Sequence, residues 1–420
     1  MPRSVIVIGS GAAGTAAAWR AQRLGCEVTM VSSGAGASAL TSGAIDDVPW
    51  EQQARAARLL GVETLAAMPA LPAPLVDWLE ALGAWRVPAS HGCLLATLAG
   101  RLRPARGHDS ALLDLAATGG GRVLIPRASR ADWDADALSD ALNDDPRAKK
   151  MKLHFEAIDV PVLRFEDERR IADADLAVRH DHQDRRAWLA AGLRHALTQH
   201  GAVAAFLLGP WLGTRPGHAQ EITREVGVPV GEALSGANSP AGLRFEISRD
   251  TQLTSVGVER VRRRVREVTA GSSRSSGHTA GFDVRLEGLD APLHADAVVL
   301  ATGGVLGGGV LYTPPEHGAG PDMPPGGRLP FALSFAAPVQ LGDGHGPLEV
   351  VSSLFGPALD AIGWPSKDRQ GLLEAVGVLC QGVHAAPRLL VAGDAIAARP
   401  RTLLEAAATG LRAGTEAASG

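Results

Sequence analysis

Aromatic side chains are scarce in this 420-residue chain, which has a single tyrosine, Tyr312, and 4% aromatics overall. That excludes a platform for stacking nucleic-acid bases as its main working surface. Charge of one sign is lacking as well: 41 Lys+Arg against 45 Asp+Glu leave a net charge of -4, which argues against a nucleic-acid partner. No apolar run approaches the ~20 residues that cross a bilayer. A strand-like run starts directly after Met1-Pro2-Arg3 and leaves no room for a signal peptide. The expectation is a soluble, cytoplasmic protein. The three cysteines, Cys26, Cys93 and Cys380, are far apart and form no Cys-x-x-Cys. An iron–sulfur centre ligated by this chain alone is therefore not expected, and no metal site is read from the sequence.

What is present is concentrated at the start. An apolar run, Val5 to Ile8, leads into Gly9-Ser10-Gly11-Ala12-Ala13-Gly14, an alanine-rich helix follows through Leu24, and a β-type run returns at Val28 to Val31. This is a βαβ dinucleotide fingerprint. Gly9 permits the tight turn, Gly11 lets backbone approach a pyrophosphate, and Gly14 lets the helix pack on the strand. The helix N-terminus faces the anion with free N–H groups. The acid expected at the end of the second strand, which would hold the ribose hydroxyls, is replaced by Ser32 or Ser33.

Further along, Ser38 to Asp46 is rich in small residues and fits either backbone closing over a ligand or a surface loop. Residues 51 to 84 have helical spacing and are assigned to the first domain. From about residue 86 strands and helices alternate: strand 122–126, helix 135–143, strand 152–160, helix 186–199, strand 203–208. The pattern predicts an inserted, partly parallel α/β module. The charged segment Arg164 to Arg186 carries His180-Asp181-His182, a spacing a metal could use on a strand; with no third ligand evident, it reads as a solvated polar stretch. Residues 235–245 read as a Pro/Gly linker, with a helix at 242–255. Val258 to Val268 reads as one strand with Arg260, Arg262, Arg264 and Arg266 on one face and Val261, Arg263 and Val265 on the other. Such a face suits an acidic partner, an anionic ligand or, by preference, a solvated sheet edge. Residues 269–280 read as a hairpin loop and 313–330 as loop.

Two more signals lie near the end. A buried strand, Ala297 to Leu300, runs into Ala301-Thr302-Gly303-Gly304, where absent side chains let backbone pass close to a nucleotide. Strand Leu389 to Ala392 runs into Gly393-Asp394, and an alanine-rich helix opens at Arg401-Thr402-Leu403-Leu404-Glu405. An aspartate there can bind a polyol hydroxyl, and a helix N-terminus can steady negative charge on a reduced ring.

In this order the three motifs resemble the two-dinucleotide-binding-domain flavoproteins, and within them those with a fumarate-reductase-like FAD-binding domain, over roughly residues 1–48 and 241–420. The resemblance implies a Rossmann-like α/β flavoprotein fold with an inserted α/β domain: flavin-binding domain 1–86, insert 87–235 as cap or partner-binding domain, and flavin-binding domain again at 236–420. It also implies a noncovalent flavin, because the first histidine is His91 and an early histidine that could carry the flavin covalently is missing. The implied cofactor contacts are Gly9, Gly11, Ala12, Ala13, Gly14, Ser32, Ser33, Thr41, Ser42, Gly43, Val265, Ala301, Thr302, Gly303, Gly393, Asp394, Thr402, Leu403 and Leu404.

More narrowly, Val31-Ser32-Ser33-Gly34, Thr41-Ser42-Gly43-Ala44-Ile45-Asp46, the long insert and Asn238-Ser239-Pro240-Ala241-Gly242-Leu243-Arg244 are similar to the flavin-associated B-type subunit of anaerobic glycerol-3-phosphate dehydrogenase. That family implies FMN as the alternative to FAD, a catalytic dehydrogenase subunit and an iron–sulfur subunit as partners, and a peripheral place at the inner membrane through a partner. The segment Thr402 to Gly410 departs from that family's glycine run and is closer to ordinary FAD oxidoreductases. Three functions stand: a flavin-binding redox subunit of this kind, a self-sufficient FAD oxidoreductase acting on a small organic acid, and a scaffold without cofactor. Catalytic candidates are His317, His345, His384, Arg399 and Arg401, none singled out by its spacing.

Overall fold

The computed structural model describes residues 2–47, 70–89, 91–237, 239–270, 281–313, 332–341, 348, 376–378, 380–397 and 399–419. They divide into two compact units. The first runs up to Ser38, includes Asp47 and resumes at Thr251; the second holds Ala39–Asp46 and the described residues from 70 to 250.

The first unit is built on a six-stranded sheet. Its order is Glu259–Arg262, Glu27–Ser32, Ser4–Ile8, Ala297–Leu300, Leu389–Val391 and His384–Ala386, parallel except for the last strand. Its two central strands are near-continuous apolar runs, as a sheet covered on both faces requires. Val5 to Ile8 and Ala297 to Leu300 are all buried. The register brings Ile8 beside Val31 and Leu300, and Leu300 beside Val391, so the parallel strands end together. Helix Ala12–Arg23 covers the sheet and packs against the last helix, Leu403–Ser419. Small residues permit this approach: a Cβ on Gly410 would lie 2.1 Å from Ala13 O, and one on Gly414 2.4 Å from Ala17 O. The pairing of 410 with 13 and of 414 with 17 makes the two helices parallel. A second, antiparallel hairpin, Val265–Ala270 with Phe282–Leu286, extends to Leu293–Ala295.

The second unit carries a four-stranded parallel sheet ordered Val230–Glu232, Ala205–Leu208, Gly121–Pro126, Leu153–Ile158, as the alternating pattern predicts. Helices 135–144, 173–180, 183–200 and 218–226 supply apolar faces to the same core. Helix Ala73–Leu82 also belongs here, not with the first domain, with Trp78 edge-on to Trp85 and Trp85 stacked on Phe245 at 5.1 Å.

Several expectations are corrected. The boundaries at 86 and 235 give way to boundaries near 38 and 250, because residues 39–46, 70–86 and 236–250 pack into the second unit. The 235–245 linker is helical from Pro240, and Arg244 is a buried cation whose Nε meets Asp109 at 2.7 Å and whose Nη2 meets Glu232 at 2.6 Å. The 164–186 stretch is not simply solvated. Glu168 and Arg185 form a buried ion pair at 2.6 Å, and His180 is fully buried with Nδ1 2.7 Å from Trp211 O. The single arginine-bearing strand is two strands on different sheets, Glu259–Arg262 and Val265–Ala270, with Arg263 and Arg264 between them, so the four arginines share no face. The loops at 271–280 and 314–330 lie outside the described residues.

Candidate functional site

The site is assembled where the parallel strands of the first unit end. Gly9 follows the first strand and donates its N–H to Val31 O at 2.8 Å; Ala301 N donates to Ile8 O at 2.8 Å, and Ala392 N to Leu300 O at 2.9 Å. Three segments, Gly9 to Gly14, Ala301 to Gly304 and Gly393-Asp394, are thus carried to one edge of one sheet. Strand order reverses between the first strand and Ala297–Leu300, the place where open α/β sheets form a crevice for ligands.

The three fingerprint glycines meet different surroundings. Gly9 has φ +116°, and a Cβ there would lie 2.1 Å from Ala301 O. A Cβ on Gly14 would lie 1.9 Å from Gly9 O. The fold itself demands both. Gly11 has φ -72°, which any residue adopts, and a Cβ would meet only Ser38 Oγ, at 3.3 Å. Among the described residues, backbone packing does not require a glycine at position 11, where only a side-chain hydroxyl approaches, as expected of a cradle whose close contact is a ligand.

Around that cradle stand donors and hydroxyls. The first turn of helix Ala12–Arg23 has N–H groups without intrahelical partners; Ser38 Oγ accepts from Ala12 N at 2.9 Å. Ser32 is half-buried and Ser33 exposed. Thr302 Oγ1 is buried with no hydrogen-bond partner among the described residues. Such an orphaned hydroxyl calls for a further group. On the far side, Thr402 caps the last helix, its Oγ1 accepting from Glu405 N at 3.3 Å. Since the two helices are parallel, both positive ends face the same edge of the sheet. Asp394 lies just beyond strand Leu389–Val391; burial raises its carboxyl above the usual range, and the Arg401 guanidinium, 3.8 Å away, opposes that rise. Arg401 also donates to the backbone oxygens of Asp394 and Val376, fixing this loop.

The remaining expected residues are placed differently. Thr41, Ser42 and Gly43 belong to the second unit, where their turn is held internally. Thr41 Oγ1 accepts from Gly43 N at 3.1 Å, Ser239 Oγ donates to Thr41 O at 3.1 Å, and Gly43 packs against Leu112, Asp109 and Ala241. Val265 is buried at the start of the antiparallel hairpin, opposite Leu286. Leu404 is buried and Leu403 half-buried at the opening of the last helix. His384 is exposed on the edge strand, 3.7 Å from Glu416, and Arg399 pairs with Glu405 at 3.5 Å. Of the catalytic candidates among the described residues, only Arg401 is tied to Asp394. His317 and His345 lie outside the described residues. Ser38 was not among the expected contacts; its signal is a small polar residue a few positions beyond the strand end.

Residues 4–69 match the family model described as glucose inhibited division protein A. The match falls on the fingerprint. No curated protein matches the chain. Among solved structures, peptidyl tryptophan dihydroxylase QhpG aligns at 14% identity and a TM-score of 0.29 over 99% of this chain and 66% of its own. CtdE in complex with FAD aligns at 10% and 0.32 over 99% and 83%, and glycine oxidase from Geobacillus kaustophilus at 14% and 0.29 over 97% and 93%. The chain spans just under two thirds of the dihydroxylase's length. These likenesses are too slight to bear on its chemistry.

Proposed function

We propose that the chain is a flavin-dependent oxidoreductase, or a component of one, that holds FAD noncovalently in its first unit. The observation that carries this reading is the contrast among the three glycines: two are required by the backbone packing of the fold, whereas the third meets only the Ser38 hydroxyl among the described residues. The orphaned Thr302 hydroxyl and the match to residues 4–69 support it at the same place. Gly11, Ala12, Ala13 and Gly14 would meet the pyrophosphate, Ser32 and Ser33 the ribose, Ala301 to Gly303 the nucleotide's flank, and Asp394 a polyol hydroxyl. The flavin supplies hydride and electron transfer when bound. The chain's own part is to orient it, to keep charge-stabilising helix ends at the sheet edge, and to hold the Asp394 loop through Arg401.

The finer reading, resting on the resemblance at Val31 to Gly34 and Asn238 to Arg244, is an electron-transferring component similar to the flavin-associated B-type subunit of anaerobic glycerol-3-phosphate dehydrogenase. It would work between a catalytic dehydrogenase subunit and an iron–sulfur subunit, peripheral to the inner membrane. Among the described residues no helix is long and apolar enough to cross a membrane. Two experiments test this reading. Tagged chain recovered from its source should bring an iron–sulfur or dehydrogenase partner with it, and the isolated chain should not turn over small organic acids with an artificial dye. Turnover by the isolated chain would establish the self-sufficient enzyme instead; a chain that takes up no flavin would leave the scaffold.

A further inference from the structure

The second unit contains a cluster that the flavin reading does not use. Cys93 opens strand Cys93–Ala96, which pairs antiparallel with Leu102–Ala105 so that Cys93 faces Ala105. Three residues past that partner, His108 sits in the middle strand of a small sheet, opposite Ala44 and Arg86. The turn that follows returns Asp114 to the start of the first strand, where its Oδ1 accepts from Leu94 N at 3.0 Å. Residues 15 and 6 positions apart along the chain thereby meet: the Cys93 sulfur, a His108 ring nitrogen and an Asp114 oxygen all lie within 4.8 Å of one another.

The details suit a cation. Asp114 Oδ1 accepts from Ala116 N as well, at 3.0 Å, which fixes the carboxylate. His108 Nδ1 lies 2.8 Å from Asp109 O, a carbonyl that takes its proton and leaves Nε2 as the nitrogen with a free lone pair. A backbone partner of this kind fixes the tautomer of metal-binding histidines. Cys93 and His108 are buried, while Asp114 is half-buried and leaves a way in. One thiolate, one imidazole and one carboxylate are three donors of a tetrahedral d-block site, whose fourth place water can fill.

We propose that Cys93, His108 and Asp114 bind a divalent zinc-like cation, with water in the fourth place. On binding, the cation takes the place of the thiol proton, which leaves to solvent, and no oxidation or reduction occurs. The site would fasten the two small sheets of the second unit to each other.

The test uses the full chain, stripped with a chelator, given zinc and passed through a desalting column. Metal content is read by mass spectrometry and the coordination shell by X-ray absorption at the zinc edge, neither of which depends on flavin. One zinc per chain is expected, with one sulfur at about 2.3 Å and the remaining ligands nitrogen or oxygen. C93S should lose the sulfur and weaken zinc binding by at least about tenfold; H108Q and D114N should weaken it while keeping the sulfur, so the result stands even if one variant fails to fold. No retained zinc, a shell without sulfur, or wild-type binding in C93S would overturn the proposal. Flavin content, measured on the same samples, reports separately on the first unit.

Discussion

The same methyl group, placed at each of the three fingerprint glycines, separates what the fold needs from what a ligand needs. In Gly9→Ala the new carbon would sit 2.1 Å from Ala301 O, and the residue is held at φ +116°. Overpacking against a backbone atom costs about 1–3 kcal/mol, and the left-handed conformation about 1–2 kcal/mol more. Gly14→Ala meets Gly9 O at 1.9 Å and incurs the first of these costs without the second. Against a typical stability of about 5–15 kcal/mol, either loss is severe. Gly11→Ala differs. Its φ is -72°, and its carbon meets only the Ser38 hydroxyl at 3.3 Å, so apoprotein stability should move by less than about 1 kcal/mol. The methyl would nevertheless stand where a pyrophosphate approaches, and flavin affinity should fall at least about tenfold, or ~1.4 kcal/mol. Denaturant unfolding of the apoproteins and flavin titration by fluorescence quenching read the two effects apart. A Gly11→Ala protein that binds flavin as the parent does, or one as unstable as Gly9→Ala, would refute the reasoning; Gly11→Val should abolish retention altogether.

Three further outcomes are expected. Arg244→Met leaves Asp109 and Glu232 buried without their cation and should cost about 3–5 kcal/mol in urea unfolding, with a loss below about 1 kcal/mol contradicting the ion-pair account. His180 is held near pKa 4, first by burial and then by the Arg185 cation, so it stays neutral in the fold while the unfolded chain protonates from its ordinary 6.5 downward. Its contribution is full above pH 6.5 and is lost as pH falls through about 4, an effect of about 3 kcal/mol; unfolding of H180N should show a correspondingly flatter acid limb, and parallel curves would exclude it. Asp394→Ala removes a side chain whose described ionic partner is 3.8 Å away, so the apoprotein should melt unchanged while flavin binding weakens about tenfold, read by titration.

Legibility in the sequence followed locality. The first strand, turn and helix are contiguous in the chain, and each local signal agrees with its neighbours, so Gly9 to Gly14 could be read directly. Ala301 to Gly304 and Gly393-Asp394 were legible because each follows an apolar run that ends in small residues. Arg244 was not: Pro240 and Gly242 around it read as a linker, and only the distant Asp109 and Glu232 make its burial tolerable. His180-Asp181-His182 read as polar for the same reason, the acceptor for His180 being Trp211 O, 31 residues away. Val258 to Val268 looked like one strand because alternation does not show where a chain leaves one sheet for another. Thr41 to Gly43 has the composition of a ligand loop, but glycine at φ +101° also serves tight packing, and that is the use seen within the second unit.

The most direct measurement is the visible spectrum of the purified chain after incubation with excess FAD and desalting, followed by denaturation and chromatography of what is released. The account predicts a flavin spectrum and one FAD per chain, with Ser32 and Ser33 serving where the acid is missing. Released FMN after purification from source would mean that the adenosine half of the site is unused. A colourless chain that retains no flavin would contradict the central claim.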